Sequence, residues 1–504
     1  MAQRDRGSEV GVHRLEGHDK RPHPPGSYDV VVVGSGPGGL QTSYSLDRLG
    51  VRHAVISRDS APAGMFRHFP IFERLISWTK PEAPFPRQTR EYEWYDHNSL
   101  VAEEPENRAI VPGLMDRSYD VPSRQEMQSA LESYARQTKL SVRYDCEWLA
   151  TRREDDGFLL ETSDGEYRCR AAVFALGMTE PWKSSIPGAE HAPHYVETHQ
   201  PSAYQGKRVF IVGKRNSGFE VAHGLLPWAS QVVLASPRPA QVALLARSPL
   251  RTRYLQPYDE HVRGGSGSLV IDASIERIER RGDGFRVRAH GTTTPGELTF
   301  EPDEVIVATG FRTPLRDLPA LGVATVTDGR LPAQTPYWES VSVPGIYFAG
   351  NVTQASPGLR KHGVASNSSS VNGFRYNAYV LARHLAEKHF GKARERPVVA
   401  QPVDYLLAEL TRAPELWVQK GYLARVLSTE GDVMRDDGIL PLEDWIDNGG
   451  DGVAVAVEMD DKGTIYPAVY RRRGGDFAEY AFPPHVLHQF ESEEYRRELD
   501  SLLG

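Results

Sequence analysis

The sequence predicts an α/β protein with two parallel-sheet units and a small α+β segment behind them, and three observations carry that prediction. "YDVVVVGSGPGGLQTSYSLDRLG" (28–50) and "GKRVFIVGKRNSGFEVAHGLL" (206–226) each read as a buried strand, a glycine-rich turn and a helix. "AAVFALGMTEP" (171–181), "DEVIVATGFRTPL" (303–315) and "VPGIYFAGNVTQA" (343–355) are apolar strands ending in small-residue turns. The first two are the kind of crossing at which a chain passes between two such units. Together these features give two Rossmann-like dinucleotide-binding domains, the second inserted in the first.

In the first unit, four consecutive valines make a strand buried on both faces. Gly34 permits the turn, Gly36 lets a pyrophosphate approach the backbone, and Gly39 lets the helix pack on the strand. The helix, read from Gly38 onward, turns its unpaired N–H groups toward the phosphates. The next strand, "RHAVISRD", ends at Ser57 and Arg58. Ser57 stands where an acidic residue normally holds the adenosine ribose, which weakens that contact, and Asp59 lies close by.

The second unit reads Gly213, Lys214, Arg215, Asn216, Ser217, Gly218, with arginine in the place of the middle glycine. Arg215 cannot give a glycine's close approach, but its guanidinium can point at a pyrophosphate. After the following strand come Ser236 and Arg238, where a 2′-phosphate lies if the ligand is NADPH. A solvated loop arginine is the alternative for Arg238. Two loops in this order indicate an FAD domain with an NADPH domain inserted in it.

The boundaries read from the sequence are a disordered tail over 1–27, an FAD-binding part over 28–200, an NADPH-binding domain with a substrate-facing loop over 201–305, the second FAD-binding part over 306–395, and an α+β appendage over 396–504. In the appendage, "GVAVAVEMDDKGTIYPAVYRRR" reads as a hairpin around "DDKG" and "SEEYRRELDSLLG" as a helix.

Composition bounds the rest. The 504 residues exceed what one core usually serves. A hydrophobic fraction of 39% with 25% charged residues is that of a soluble globular chain, and a formal charge of −8 gives no reason to expect a nucleic-acid partner. No apolar run approaches the roughly 20 residues of a membrane span, and the start lacks a signal peptide's apolar core, so a cytoplasmic protein is expected. A homo-oligomer is compatible with the chain. No metal-ligand cluster or catalytic triad stands out. The two cysteines, Cys146 and Cys169, are not in a C-x-x-C arrangement and read as buried small residues.

At this point the chain resembles the flavin-containing monooxygenase superfamily and the wider two-domain flavoprotein oxidoreductases over about residues 28–395, through "VVVGSGPGGL", "FALGM", "KRVFIVGKRNSGFEVA", "ATGF" and "GIYFAGN". "LISWTK" and "NGFRYNAYVLARHL" look like N-hydroxylating monooxygenases and an ER-associated flavoprotein branch. The resemblance implies that Gly34, Gly36 and Gly39 bind FAD, that Gly213, Asn216, Ser217 and Gly218 bind NADPH, and that Gly350 and Asn351 meet the flavin ribityl chain, with Asn351 where the family commonly has Asp. The family's F-x-G-x-x-x-H signature falls on "HAPHYVE", so His191, Pro193 and Glu197 hold its three places, and a typical Baeyer–Villiger enzyme or xenobiotic oxidase is disfavoured.

The implied activity is an NADPH- and FAD-dependent monooxygenase that uses O2 through a flavin C4a-hydroperoxide to oxygenate a heteroatom. The substrate is expected to be a small polar amine or amino acid that is N-hydroxylated, an acidic one such as aspartate being one option. Lys80 is expected near the flavin, and Arg251, with Arg247 and Arg253, on a loop that either holds the substrate carboxylates or is a solvated basic surface. Asn372 is a further contact candidate, with Arg360, Lys361 and His362 weaker ones. Rival readings are an NAD(P)H oxidase or partner-dependent reductase without oxygen transfer, a flavin disulfide reductase, which the cysteines disfavour, and a non-catalytic redox-sensing flavoprotein.

Overall fold

The computed structural model describes residues 20–240 and 267–504. The first sheet contains β1 (Gly26–Val33), β2 (His53–Ile56), β3 (Trp148–Glu154), β4 (Gly157–Thr162) and β5 (Gly165–Phe174), in the order β2-β1-β5-β4-β3. β1 pairs in parallel with β2 and β5, whereas β3, β4 and β5 form an antiparallel meander. The valine run of β1 is no more than 5% exposed because helices cover the sheet, which is why the strand reads as continuously apolar. α1 (Pro37–Arg48) follows β1, with Gly36 as its N-cap and Pro37 in the first turn, where a missing N–H costs nothing. α2 (Ile110–Leu114) and α3 (Arg124–Gln137) lie on the same unit, and Ser123 with Glu126 closes a capping box at the start of α3.

The chain crosses to the second unit at β6 (Glu180–Pro181). The second sheet contains β7 (Arg208–Val212), then α4 (Asn216–Leu225), β8 (Gln231–Ser236), β9 (Ser268–Arg281), β10 (Gly284–Gly291), β11 (Glu297–Phe300) and β12 (Glu304–Val307), ordered β11-β10-β9-β8-β7-β12. Residues 183–205 pack against this sheet rather than the first. Ala189 and Ala192 are buried among its side chains, and the Val307 N–H donates to the Pro193 carbonyl. The return crossing is β13 (Phe311–Arg312), which pairs antiparallel with β6. The short hairpin β14 (Thr325–Val326) and β15 (Leu331–Pro332) precedes β16 (Ile346–Phe348), which joins the first sheet beside β5. α5 (Val371–Phe390) then packs on α1.

The C-terminal segment has its own sheet but shares a continuous core with the first unit, Leu406, Trp417, Val455 and Leu499 being buried in one cluster with Val30 and Leu381. α6 (Pro402–Arg412) and α7 (Pro414–Val418) lead into β17 (Leu423–Glu430), β18 (Val433–Pro441), α8 (Leu442–Asn448), β19 (Gly452–Met459), β20 (Ile465–Arg473), β21 (Asp476–Ala481) and α9 (Glu493–Leu503). Its antiparallel sheet runs β18-β17-β19-β20-β21. The hairpin expected around "DDKG" is β19–β20, where Asp460 accepts from the Lys462 and Thr464 N–H groups and so closes the turn. The β17–β18 hairpin closes through the two-residue turn Gly431–Asp432, with Gly431 at φ +62°, a tight-hairpin signal that the sequence-based expectations do not include.

Candidate FAD and NADPH site

The first glycine loop has the geometry its sequence requires. Gly34 adopts φ +116°, a conformation side chains avoid, and an added Cβ would lie 2.5 Å from the Ala175 carbonyl oxygen. At Gly39 a Cβ would fall 1.9 Å from the Gly34 oxygen, so any side chain would push α1 off β1. Gly36 differs, since a Cβ there meets only the Gly64 Cα at 3.9 Å. It leaves open space in front of the N-terminal N–H groups of α1, as a phosphate needs. Gly38 packs against Gly350, where a Cβ would come within 2.4 Å of the Gly350 Cα, so α1 is locked onto the turn after β16.

The second loop repeats this arrangement. Gly213 has φ +125° with a Cβ position 2.5 Å from the Ala308 oxygen, and a Cβ on Gly218 would sit 2.4 Å from the Gly213 oxygen. Arg215, the N-cap of α4, has φ −111° and ψ −172°, and Gly36, the N-cap of α1, has φ −73° and ψ −179°. Both are extended conformations that any residue adopts. Arginine therefore leaves the turn intact and changes only what stands in front of the helix, adding a cation to it. Arg330, whose guanidinium lies 4.9 Å over the Trp182 ring and donates to the Phe311 carbonyl, is held below its usual pKa by burial and then by Arg215.

A cavity of about 620 Å³ joins the two loops. Gly34 to Gly38, Ser57, Arg58 and Asp59 line it from the first loop, Asn216, Ser217 and Glu220 from α4, and Gly350, Asn351 and Ser369 to Val371 from the last crossing. Phe66, Phe69, Phe311 and Phe374 make much of the wall apolar. The size is in the range of cofactor pockets. The residues present fit a dinucleotide. Two buried acceptors facing the cavity, Asn351 Oδ1 and Asn216 Oδ1, have no hydrogen-bond partner within the chain, and the N-terminus of α1 lies open beside Gly36. Ser57, 3% exposed, accepts from the Ser35 hydroxyl at 2.8 Å and the Asp59 N–H at 3.2 Å, so its oxygen is already engaged.

Several contacts lay outside the sequence reading. Lys214 is buried and pairs with Asp272 on β9, whose carboxyl, though burial pushes it up, is held low by Lys214 and Thr293. In register, Asp272 lies beside Ser236 at the end of β8, and Arg238 is exposed just beyond. Glu220 joins the two units. Its Oε1 accepts from the Phe72 N–H at 2.9 Å and its Oε2 from the Tyr195 hydroxyl at 2.7 Å, and that hydroxyl accepts from the Ile71 N–H at 3.2 Å. A Cβ on Gly224 would lie 2.8 Å from the Phe72 ring, so segment 69–72 sits directly on α4. The only signal for Glu220 was its place one turn inside α4, on the face of Asn216 and Ser217.

Other expected residues lie elsewhere. Lys80 is exposed and does not line the cavity, because the bond from its N–H to the Tyr95 carbonyl and that from the Tyr92 hydroxyl to its own carbonyl fix the backbone with the side chain outward. Asn372 is 4% exposed and sits one residue behind the cavity wall, accepting from the Ser370 hydroxyl. Arg247, Arg251 and Arg253 lie outside the described residues. Arg360 is exposed, and Lys361 and His362 turn to the C-terminal module. Glu197 accepts from the His194 N–H at 2.5 Å and pairs with Lys183, a turn-capping role, and His191 is exposed. Cys146 lines the cavity beside Trp148 at the Ser57 end, and Cys169 is buried in β5 with its thiol pushed up to about 12 by burial. Among the described residues no cluster of His, Cys, Asp and Glu could hold a metal, and no helix is long and apolar enough to cross a membrane.

Comparison with known proteins agrees with this geometry. Residues 31–350 match the family described as pyridine nucleotide-disulphide oxidoreductase. A zebrafish (Danio rerio) protein, "FAD-dependent oxidoreductase domain-containing protein 2", is 23% identical over 464 residues, which are 80% of this chain and 66% of that protein, so the chain spans a little under two thirds of this relative. Among solved structures, a flavin-containing monooxygenase from Stenotrophomonas maltophilia aligns with a TM-score of 0.54 at 20% identity, over 72% of this chain and 99% of that one. A bacillithiol disulfide reductase from Bacillus cereus aligns with 0.55 at 18% identity, over 72% and 100%. At these identities the structures share the fold.

Proposed function

The chain belongs to the pyridine nucleotide-disulphide oxidoreductase family, and from that premise we propose that it is an FAD- and NADPH-dependent monooxygenase that oxygenates a heteroatom, N-hydroxylating a small polar amine or amino acid. The observation that carries the proposal is the single cavity. Both nucleotide loops open into it, its walls are aromatic, and the one cysteine that lines it, Cys146, stands at the Ser57 end and not between the two loops. Electrons arriving there meet no dithiol, which favours an acceptor admitted to the cavity over a disulfide of the chain itself.

FAD held there would supply the redox chemistry, accepting hydride from NADPH and reducing O2 so that one oxygen atom goes to the substrate and the other leaves as water. The chain's own part is binding and exclusion. Gly36 and the α1 N-terminus hold one pyrophosphate, and Arg215 with the α4 N-terminus holds the other. Asn351 and Asn216 each offer a free acceptor to the bound groups. Glu220, through Phe72 and Tyr195, fixes the approach of the two units. Phe66, Phe69, Phe311 and Phe374 keep water out and lower the pKa of an entering amine, leaving its nitrogen unprotonated.

The test is NADPH oxidation and peroxide release by the FAD-loaded protein across amino acids, including aspartate, ornithine and lysine, with amines and sulfides. A substrate should speed NADPH oxidation while peroxide falls. Peroxide released one for one with NADPH, whatever is added, would leave an oxidase or a partner-dependent reductase instead.

A further inference from the structure

The C-terminal module carries no chemical motif, yet its contacts converge on the segments that wall the cavity. Gln419, fully buried after α7, donates through Nε2 to the Ser368 hydroxyl at 3.1 Å and to Asn377 Oδ1. Asn377 donates to Ser368 and to Thr353, each at 3.0 Å, and the Thr353 hydroxyl donates to the Gly350 carbonyl at 2.7 Å. This relay is no more than 1% exposed at Ser368, Asn377 and Thr353. It ends beside Asn351, with its unpartnered Oδ1, and Ser368 immediately precedes the cavity-lining Ser369 and Ser370. Tyr422 adds a second hold, its hydroxyl lying at hydrogen-bond distance from the Ser356 hydroxyl (2.7 Å) and the Pro336 carbonyl (2.8 Å).

The module also grips the segment that leads to Asn98. Arg90 makes paired bonds to Glu409 (2.7 and 3.0 Å) and to Glu415 (3.1 and 2.8 Å), and the Trp94 ring centroid lies 4.0 Å from that of Trp417. The chain continues from there to Asn98, which lines the cavity.

We infer that the C-terminal module is a positioning element of the flavin site, and that Gln419 and Tyr422 hold the Gly350–Asn351 turn and the Ser369–Val371 segment in the geometry that receives FAD. The inference rests on FAD occupying the cavity. Gln419 and Tyr422 touch no cofactor themselves; they act through Ser368, Asn377, Thr353 and Ser356. Gln419 Nε2 and the Tyr422 hydroxyl satisfy buried acceptors of the site's outer wall that have no water to turn to, while Gln419 Oε1 itself has no hydrogen-bond partner within the chain.

The experiment compares full-length Gln419→Met and Tyr422→Phe with the wild type and with Lys462→Ala, a change at the exposed β19–β20 turn of the same module. FAD affinity is measured by quenching of flavin fluorescence on the apoprotein, the flavin environment by circular dichroism in the flavin absorption bands, and folding by far-ultraviolet circular dichroism and melting without FAD. We expect both relay variants to lose about tenfold in FAD affinity, the size of one or two lost buried hydrogen bonds, with an altered flavin dichroism, while Lys462→Ala matches the wild type. Tyr422→Phe removes one oxygen atom and tests the idea if Gln419→Met does not fold. Unchanged affinity and dichroism in folded relay variants would overturn the inference, as would a lowered melting temperature with normal FAD binding, which would make the module packing alone. A wild-type chain that takes up no FAD would instead remove the cofactor assignment, and the inference with it.

Discussion

Replacing Glu220 by alanine should slow hydride transfer more than it loosens FAD. The carboxylate accepts from Phe72 N–H and Tyr195 hydroxyl at 2.9 and 2.7 Å, and these donors belong to segments on either side of the crossover. A hydrogen bond to a charged group contributes about 1.5–3 kcal/mol, and only the bond from Phe72 spans the two units, so its loss frees about that much constraint between them, less what water recovers, while the loss of the Tyr195 bond loosens the second unit's own side of the contact. Misplacement of about 1 Å at a reacting centre costs on the order of 100-fold in rate. Glu220→Ala is therefore expected to slow anaerobic flavin reduction by NADPH by about two orders of magnitude while its FAD content stays normal. Glu220→Gln keeps an acceptor for the Phe72 N–H and should fall between alanine and wild type. The assay is stopped-flow loss of flavin absorbance against NADPH concentration, which separates rate from affinity. A Glu220→Ala protein that folds, holds FAD and reduces its flavin at the wild-type rate would refute the reasoning.

Three further outcomes follow from the same geometry. Gly218→Ala, whose Cβ would lie 2.4 Å from the Gly213 oxygen, should abolish reduction by NADPH and leave FAD bound, whereas Gly39→Ala, at 1.9 Å from the Gly34 oxygen, should prevent FAD uptake; the flavin spectrum of the purified variants distinguishes them. Arg215→Gly should leave melting unchanged, because the backbone there is extended, but raise the KM for NADPH by roughly tenfold as one charge-assisted phosphate contact disappears; an unchanged KM would remove Arg215 from the site. Burial pushes the carboxyl of Glu93 up to about 7, even with the Tyr376 hydroxyl donating to it. Its stabilisation is then complete below the unfolded value near 4.5 and lost as pH rises through about 7. Glu93→Gln should therefore show a smaller loss of melting temperature between pH 5 and pH 8 than the wild type, and equal slopes would show that this carboxyl does not titrate there.

The sequence alone determined the two loops, their order and the α/β class, and it did so because strand, turn and helix are written in adjacent residues. Gly34, Gly39, Gly213 and Gly218 each answer a steric demand set within a few residues or by the neighbouring strand, so their roles are legible without the fold. Tertiary structure decided everything that depends on where a side chain points after distant segments pack. Nothing near Gly38 announces Gly350, nothing near Glu220 announces Phe72, and Lys214, just after β7, meets Asp272 on β9 only because β7, β8 and β9 lie side by side. Lys80 was placed near the flavin by its motif, and the backbone bonds of residues 80 and 92–95 turned it outward. The C-terminal module could be read as strands and a helix from its alternation and turn residues, but its hold on Ser368 and Ser356 through Gln419 and Tyr422 lies in contacts far apart in sequence, where no local pattern records them.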